Sequence, residues 1–156
     1  MDRFKLLHDF YDTVLIPPAV WREVVEEAEG RPGAREVDEA VRQGWFEVVP
    51  VNDDALVRLL RRDLDDGEAE AIALAIEQPC DVILLDESEA RNVAATFSLR
   101  KTGIIGLLLR AKQEGRITSL KAELDRVRDD AGFWIHDDLY RYALTRVGET
   151  ITDCER

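Results

Sequence analysis

Four carboxylates in this chain stand where an acid can do chemistry. Asp86 directly follows the apolar run Val82-Ile83-Leu84-Leu85, and Glu68 and Glu70 open an Ala-rich stretch that continues to Ala75. In α/β proteins the carboxyl ends of parallel strands form the rim where ligands bind. Acids gathered on such a rim supply the oxygen donors that a hard cation such as Mg²⁺ prefers. Glu68 and Glu70 are two residues apart, about 200° around a helix, so at most one can point into a shared site. Each acid also has a structural reading. Asp65 to Glu68 has the spacing of a capping box, and so does Asp86 to Glu89. Glu87 and Glu89 are weaker ligand candidates, because one or both should face solvent. The fourth acid, Glu23, falls outside the stripe of Val20, Val24, Val25 and Ala28 and reads, on the residues alone, as a solvated glutamate.

Other chemistries find little support. His8 and His136 are single histidines without paired ligand spacing, and Cys80 and Cys154 show no metal-ligand spacing and make no disulfide framework. Two isolated thiols fit a cytoplasmic protein. No serine sits in a nucleophile elbow. Gly103-Ile104-Ile105-Gly106 lacks the Lys-Ser/Thr that would make it a phosphate loop. The N-terminus has no signal-peptide core, and no run approaches the roughly 18 apolar residues that would span a membrane.

The elements that must position the acids can be read from periodicity and punctuation. Phe4 to Phe10 suggests a short helix, and Thr13-Val14-Leu15-Ile16 a strand stopped by Pro17-Pro18. Residues 19–29 then read as an amphipathic helix, 34–43 as a second helix ended by Gly44, and 45–51 as a strand. Asn52-Asp53-Asp54 caps a helix over 55–62. The helix over 66–77 has apolar residues all round and should be buried on most sides. The run 82–85 reads as a central parallel strand covered on both faces. Helices follow at about 87–97, 104–114, 118–130 and 137–147. Short strands alternating with helices predict an α/β fold with a parallel sheet between helical layers, in one domain over 1–156 with a helix-rich C-terminal third.

The formal charge of −12 argues against nonspecific nucleic-acid binding. The charge is uneven, however. Residues 90–122 carry Arg91, Arg100, Lys101, Arg110, Lys112, Arg116 and Lys121 against the single acid Glu114, so this segment is +6 and the rest −18. A basic strip beside an acidic site can track a phosphate backbone. Solvated faces of successive helices are the competing reading.

Several segments together resemble the PIN-domain superfamily, within it a prokaryotic branch related to VapC toxins. They are Val14-Leu15-Ile16-Pro17-Pro18-Ala19-Val20-Trp21-Arg22-Glu23-Val24, Gly67-Glu68-Ala69-Glu70-Ala71-Ile72-Ala73-Leu74-Ala75, and Leu84-Leu85-Asp86-Glu87 with Ala90-Arg91. Thr102 to Gly106 and Gly132 to Ile135 extend the likeness over nearly the whole chain. The resemblance implies a PIN-like three-layer α/β/α sandwich with a short parallel sheet. It implies Mg²⁺- or Mn²⁺-dependent cleavage of RNA by a cluster of acids, here Glu23, Glu68 (or Glu70) and Asp86. Arg91, Arg100 and Lys101 would hold the RNA backbone. It further implies, as partners, an antitoxin protein and a second copy of the chain.

The chain departs from that pattern in one respect. Relatives begin with an apolar strand carrying an aspartate ahead of the first helix, whereas Met1 here lies inside what reads as that helix. The expectation is that this strand and its acid are missing. Three readings stay open: a longer natural chain, a degenerate inactive domain, or a gap filled by another segment or chain. An uncovered sheet edge invites pairing, so a catalytically degenerate module that binds a protein or itself is the alternative to the nuclease.

Overall fold

The computed structural model describes residues 3–31 and 33–151. The chain divides into two compact units, Met1–Lys101 and Thr102–Arg156.

In the first unit, α1 (Arg3–Phe10) precedes the β-branched run that forms β1 (Val14–Ile16). Pro18 then starts α2 (Pro18–Trp21), at a first position where a missing N–H leaves no hydrogen bond unmade. The helix expected over 19–29 does not stay α-helical. After one turn it widens into a π-helical segment, Arg22–Glu26, closed by Glu27 N–H donating to the Arg22 carbonyl at 2.8 Å. Val20, Trp21, Val24 and Val25 all pack against the cluster of Ile16, Val37, Ala40 and Phe46.

Next come α3 (Ala34–Gln43), ended by Gly44 in the left-handed conformation (φ 85°), and β2 (Phe46–Val48). β2 lies parallel to β1, with Val14 opposite Phe46 and Ile16 opposite Val48. Asp53 caps α4 (Asp54–Leu60) by accepting from Leu56 N–H at 2.9 Å. α5 (Asp66–Glu77) occupies the expected span and is buried as expected, with Ala69, Ile72 and Ala73 fully enclosed. It packs on both α2 and α4.

The run 82–85 gives a shorter strand than expected, β3 (Ile83–Leu84), followed by α6 (Ser88–Thr96) and β4 (Lys101–Thr102). It is not covered on both faces either: Ile83 and Leu85 are buried while Leu84 is 36% exposed. Among the described residues its neighbour is β4, and Ile83 N–H donates to the Arg100 carbonyl at 2.8 Å. Among the described residues the strands form two pairs, β1–β2 and β3–β4, rather than one continuous sheet. The fold class is nonetheless the expected mixed α/β with short strands and a helix-rich C-terminal third.

The second unit holds α7 (Ile104–Gln113), α8 (Leu120–Ala131) and α9 (Asp137–Arg146), each in contact with the other two. Leu108, Leu120, Leu124 and Leu144 are its most enclosed large side chains. The carboxylate of Glu149 binds across the start of α8, accepting from the N–H groups of Leu120 and Lys121 at 2.8 Å each, and pairs with Lys112 at 2.9 Å.

Candidate functional site: paired carboxylates at the start of α5

The first turn of α5 offers free N–H groups and the positive end of its dipole, and acids collect there. Asp65 is the N-cap and accepts from Glu68 N–H at 2.8 Å; Glu68 returns the bond by accepting from Asp65 N–H at 3.3 Å. The capping box read from the spacing therefore forms, and Glu68 holds its own helix end while facing the site.

Glu23 reaches the same place from the π-helical segment. Its carboxylate accepts from Gly67 N–H and lies so close that a Cβ on Gly67 would stand 2.8 Å and 2.9 Å from its two oxygens. Glycine at this position is what admits the acid. Glu23 and Glu68, 45 positions apart, thus meet at one helix end.

Their electrostatics record the meeting. Burial pushes the Glu23 carboxyl above its ordinary value, and Asp65, Glu27 and Asp66 add to this, with the Gly67 N–H opposing. Glu68 is raised by burial, then by Asp65, Glu87 and Glu23, with the Asp65 N–H opposing. Crowded acids favour the protonated form of their neighbours. The acid beyond β3 whose charge reaches Glu68 is Glu87, the N-cap position of α6. Glu87, a weaker ligand candidate by sequence because it or Glu89 should face solvent, is exposed, yet its charge bears on Glu68. Asp65 was assigned a capping role only, although it is the strongest charge on both glutamates. The sign of both was in the sequence, since each begins a helix beside a candidate acid.

Asp86 lies two residues beyond β3, exposed, one residue before the N-cap of α6. The helix starts one residue later than a capping box from Asp86 to Glu89 needs, with Glu87 at the N-cap position. Glu70, the alternative to Glu68, is committed elsewhere. It accepts from Ala19 N–H at 2.8 Å, closing the start of α2, and stands 3.5 Å from the Arg61 guanidinium.

The basic residues divide similarly. Arg91 is half-buried and donates to the Leu85 carbonyl at 3.1 Å, bracing the end of β3. Arg100 is exposed and Lys101 half-buried. In the second unit Arg110 and Arg116 both pair with Glu114, Lys112 with Glu149 and Lys121 with Asp125. The charge of the strip is thus largely matched within that unit.

The oxygen donors suit Mg²⁺ or Mn²⁺ by type. Among the described residues, however, no group of three or more His, Cys, Asp or Glu is placed to hold a metal ion. Glu23 and Glu68 are turned onto backbone N–H groups, so the acids as seated do not form a cage for the ion.

No helix among the described residues is long and apolar enough to cross a membrane. A search of curated proteins and of solved structures gives no match. The chain does match the DUF3368 family, a PIN domain, over residues 1–149. Strand β1, the acid-opened α5 and the carboxylates that meet there all fall within the matched span, and the chain belongs to this family of PIN domains.

Proposed function

We propose that this PIN-domain protein is a nuclease that hydrolyses RNA phosphodiesters, with Glu23 and Glu68 as its acidic centre and Asp86 as the third acid. Membership in the PIN family supports nuclease-type function. The observation that carries the residue assignment is the Glu23 carboxylate seated on Gly67 beside Glu68, both with raised proton affinity. A carboxylate whose proton affinity is raised is a better acceptor for the proton of an attacking water than an ordinary one. Arg100 and Lys101, with Arg91 behind them, would take the phosphates of the chain. Mg²⁺ or Mn²⁺ is the cofactor this reading requires, and the two-acid arrangement implies weak uptake. A toxin role, restrained by an antitoxin protein, belongs to the same reading.

The test is cleavage of single-stranded RNA in Mg²⁺ and in Mn²⁺, comparing the protein with Glu23→Gln, Glu68→Gln and Asp86→Asn. Each variant should lose at least tenfold in rate while keeping its melting temperature. If the protein cuts in neither metal, and calorimetry finds no Mn²⁺ uptake that depends on Glu23 or Glu68, the nuclease reading fails. The protein-binding reading then stands. It is favoured by the engagement of both glutamates in closing α5.

A further inference from the structure

A cleft of about 400 Å³ opens at the carboxyl ends of the parallel pair β1–β2. Pro18 comes two residues after β1, and Pro50 and Val51 come two and three residues after β2; all three line the cleft. That rim is where α/β folds bind ligands, and the volume lies within the range of small-ligand pockets, about 300–1,000 Å³. Pro18 and Pro50 bring apolar rings and no N–H group to leave unpaired.

Asp54, Arg58, Arg61 and Glu70 supply the charge in the same cleft. Two of them are engaged. Glu70 accepts from Ala19 N–H and stands 3.5 Å from Arg61, and Arg61 Nε pairs with Asp66 at 2.8 Å. The other two are not. Among the described residues, Asp54 and Arg58 have no ion pair and no side-chain hydrogen bond. Residues four apart on a helix are neighbours, and on α3 the same residue types in the same order, Asp38 and Arg42, pair at 2.8 Å. Here α4 instead presents an exposed carboxylate and an exposed guanidinium beside apolar walls, each with its hydrogen-bonding capacity unfilled.

Such a pair selects an occupant that carries donors and acceptors along one edge. A carboxylate accepts from two adjacent N–H groups, and a guanidinium donates to two adjacent acceptors. Guanine offers both sets on consecutive atoms. Its O6 and N7 accept, the commonest base contact of arginine, and its N1–H and N2 amino group donate. Adenine and uracil alternate donors with acceptors along that edge, and cytosine has a single donor group. Single-stranded RNA exposes these edges to protein side chains.

We propose that this cleft reads a guanine base of single-stranded RNA, with Arg58 donating to O6 and N7, Asp54 accepting from N1–H and the N2 amino group, and the base lying against Pro18, Pro50 and Val51. The inference deepens the nuclease reading and rests on it for the identity of the polymer. Arg61 ties the cleft to the first turn of α5 through Asp66, whose charge also bears on Glu23. A guanine held here would set which phosphodiester comes to the acids.

Binding measured in EDTA tests this separately from cleavage. The probes are labelled RNA hexamers, one all uridine and three with a single guanosine, adenosine or cytidine, read by fluorescence anisotropy. The guanosine hexamer should bind about tenfold more tightly than the other three, or better. Inosine, which lacks the amino group, and 7-deazaguanosine, which lacks N7, should each lose about threefold or more with the protein unaltered. Asp54→Asn and Arg58→Gln, both at exposed positions, should abolish the preference without lowering the melting temperature. Should a variant unfold, the modified bases decide. Guanosine 5′-monophosphate should bind about tenfold more weakly than the guanosine hexamer; equal affinity overturns the strand in favour of a free nucleotide. Equal binding of all four hexamers, no binding at millimolar hexamer, or a preference that survives in either variant overturns the proposal, even where the protein cuts RNA in Mn²⁺. A preference lost in both variants of a protein that cuts no RNA upholds the cleft and removes the nuclease.

Discussion

At Gly67 the absence of one methyl group decides where a charge can go. A Cβ there would meet both oxygens of Glu23, yet those oxygens end a flexible side chain that can swing aside. Gly67→Ala should therefore leave stability nearly intact, because alanine favours the helix by up to about 1 kcal/mol over glycine. It should still displace Glu23 and lower RNA cleavage at least tenfold. A thermal melt read beside the cleavage rate separates the two effects. Glu68→Gln works in the opposite sense. Glutamine can keep the capping box and removes the repulsion from Asp65, Glu87 and Glu23. Its melting temperature at pH 7 should equal or exceed the parent's, by about 1–3 °C, while cleavage falls. A drop in stability would show that the Glu68 charge gains more from the positive end of α5 than it loses to the neighbouring acids. Little of Glu23 was legible beforehand. Its register on a presumed α-helix marked it as solvated, and only the resemblance lifted it. The clue that composition held was a glycine directly before Glu68.

Among elements, the helices were readable in span, whereas β1, β2 and β3 were readable in place but not in extent or pairing, and β4 was missed. Period and caps define α3, α5 and α9 to within a residue or so, since Gly44, Asp65 and His136 each mark an end by a local bond or dihedral. Two- and three-residue strands leave too few positions for an alternation to register, and whether a strand has neighbours on both sides is decided by distant chain. The widening of the helix at Arg22–Glu26 was equally hidden, because the apolar spacing of Val20, Trp21, Val24 and Val25 suits an ordinary α-helix as well. One long-range joint between elements gives a direct test. Glu70 closes the start of α2 from within α5, so Glu70→Ala should cost about 1–2 kcal/mol, the usual worth of a cap. Urea denaturation at neutral pH measures it, and a loss much below this range would mean that water replaces the carboxylate.

Across the whole molecule, acid acts on the two units with opposite sign. Burial alone would raise the Glu149 carboxyl, but the N–H groups of Lys121 and Leu120 and the Lys112 ammonium hold it down to about 2, against an ordinary 4.5. The unfolded chain thus takes up this proton at higher pH than the folded one. The stabilisation, on the order of 2–3 kcal/mol, is complete above about pH 5 and drains away toward pH 2. Glu23 and Glu68 are raised instead. Their repulsion weakens the fold at neutral pH, and the penalty fades as pH falls through their folded values. Amide exchange between pH 5 and 2 should show the start of α8 opening before the start of α5, and Glu149→Gln should reduce the acid sensitivity at the start of α8, leaving the part that Asp125 contributes. If α5 opens first, the acids at its start are not strained.

The π-helical turn has one consequence for how this protein can vary. A wide turn stores an extra residue, and the helix can discard it only by rotating whatever lies on one side. Removing a residue between Trp21 and Glu26 would restore the tighter winding and carry Glu23 about 100° around the axis, away from its seat on Gly67. Insertions and deletions in this short stretch therefore act on the carboxylate pair and, on the side that rotates, on the core packing of Val20 and Trp21 or of Val24 and Val25.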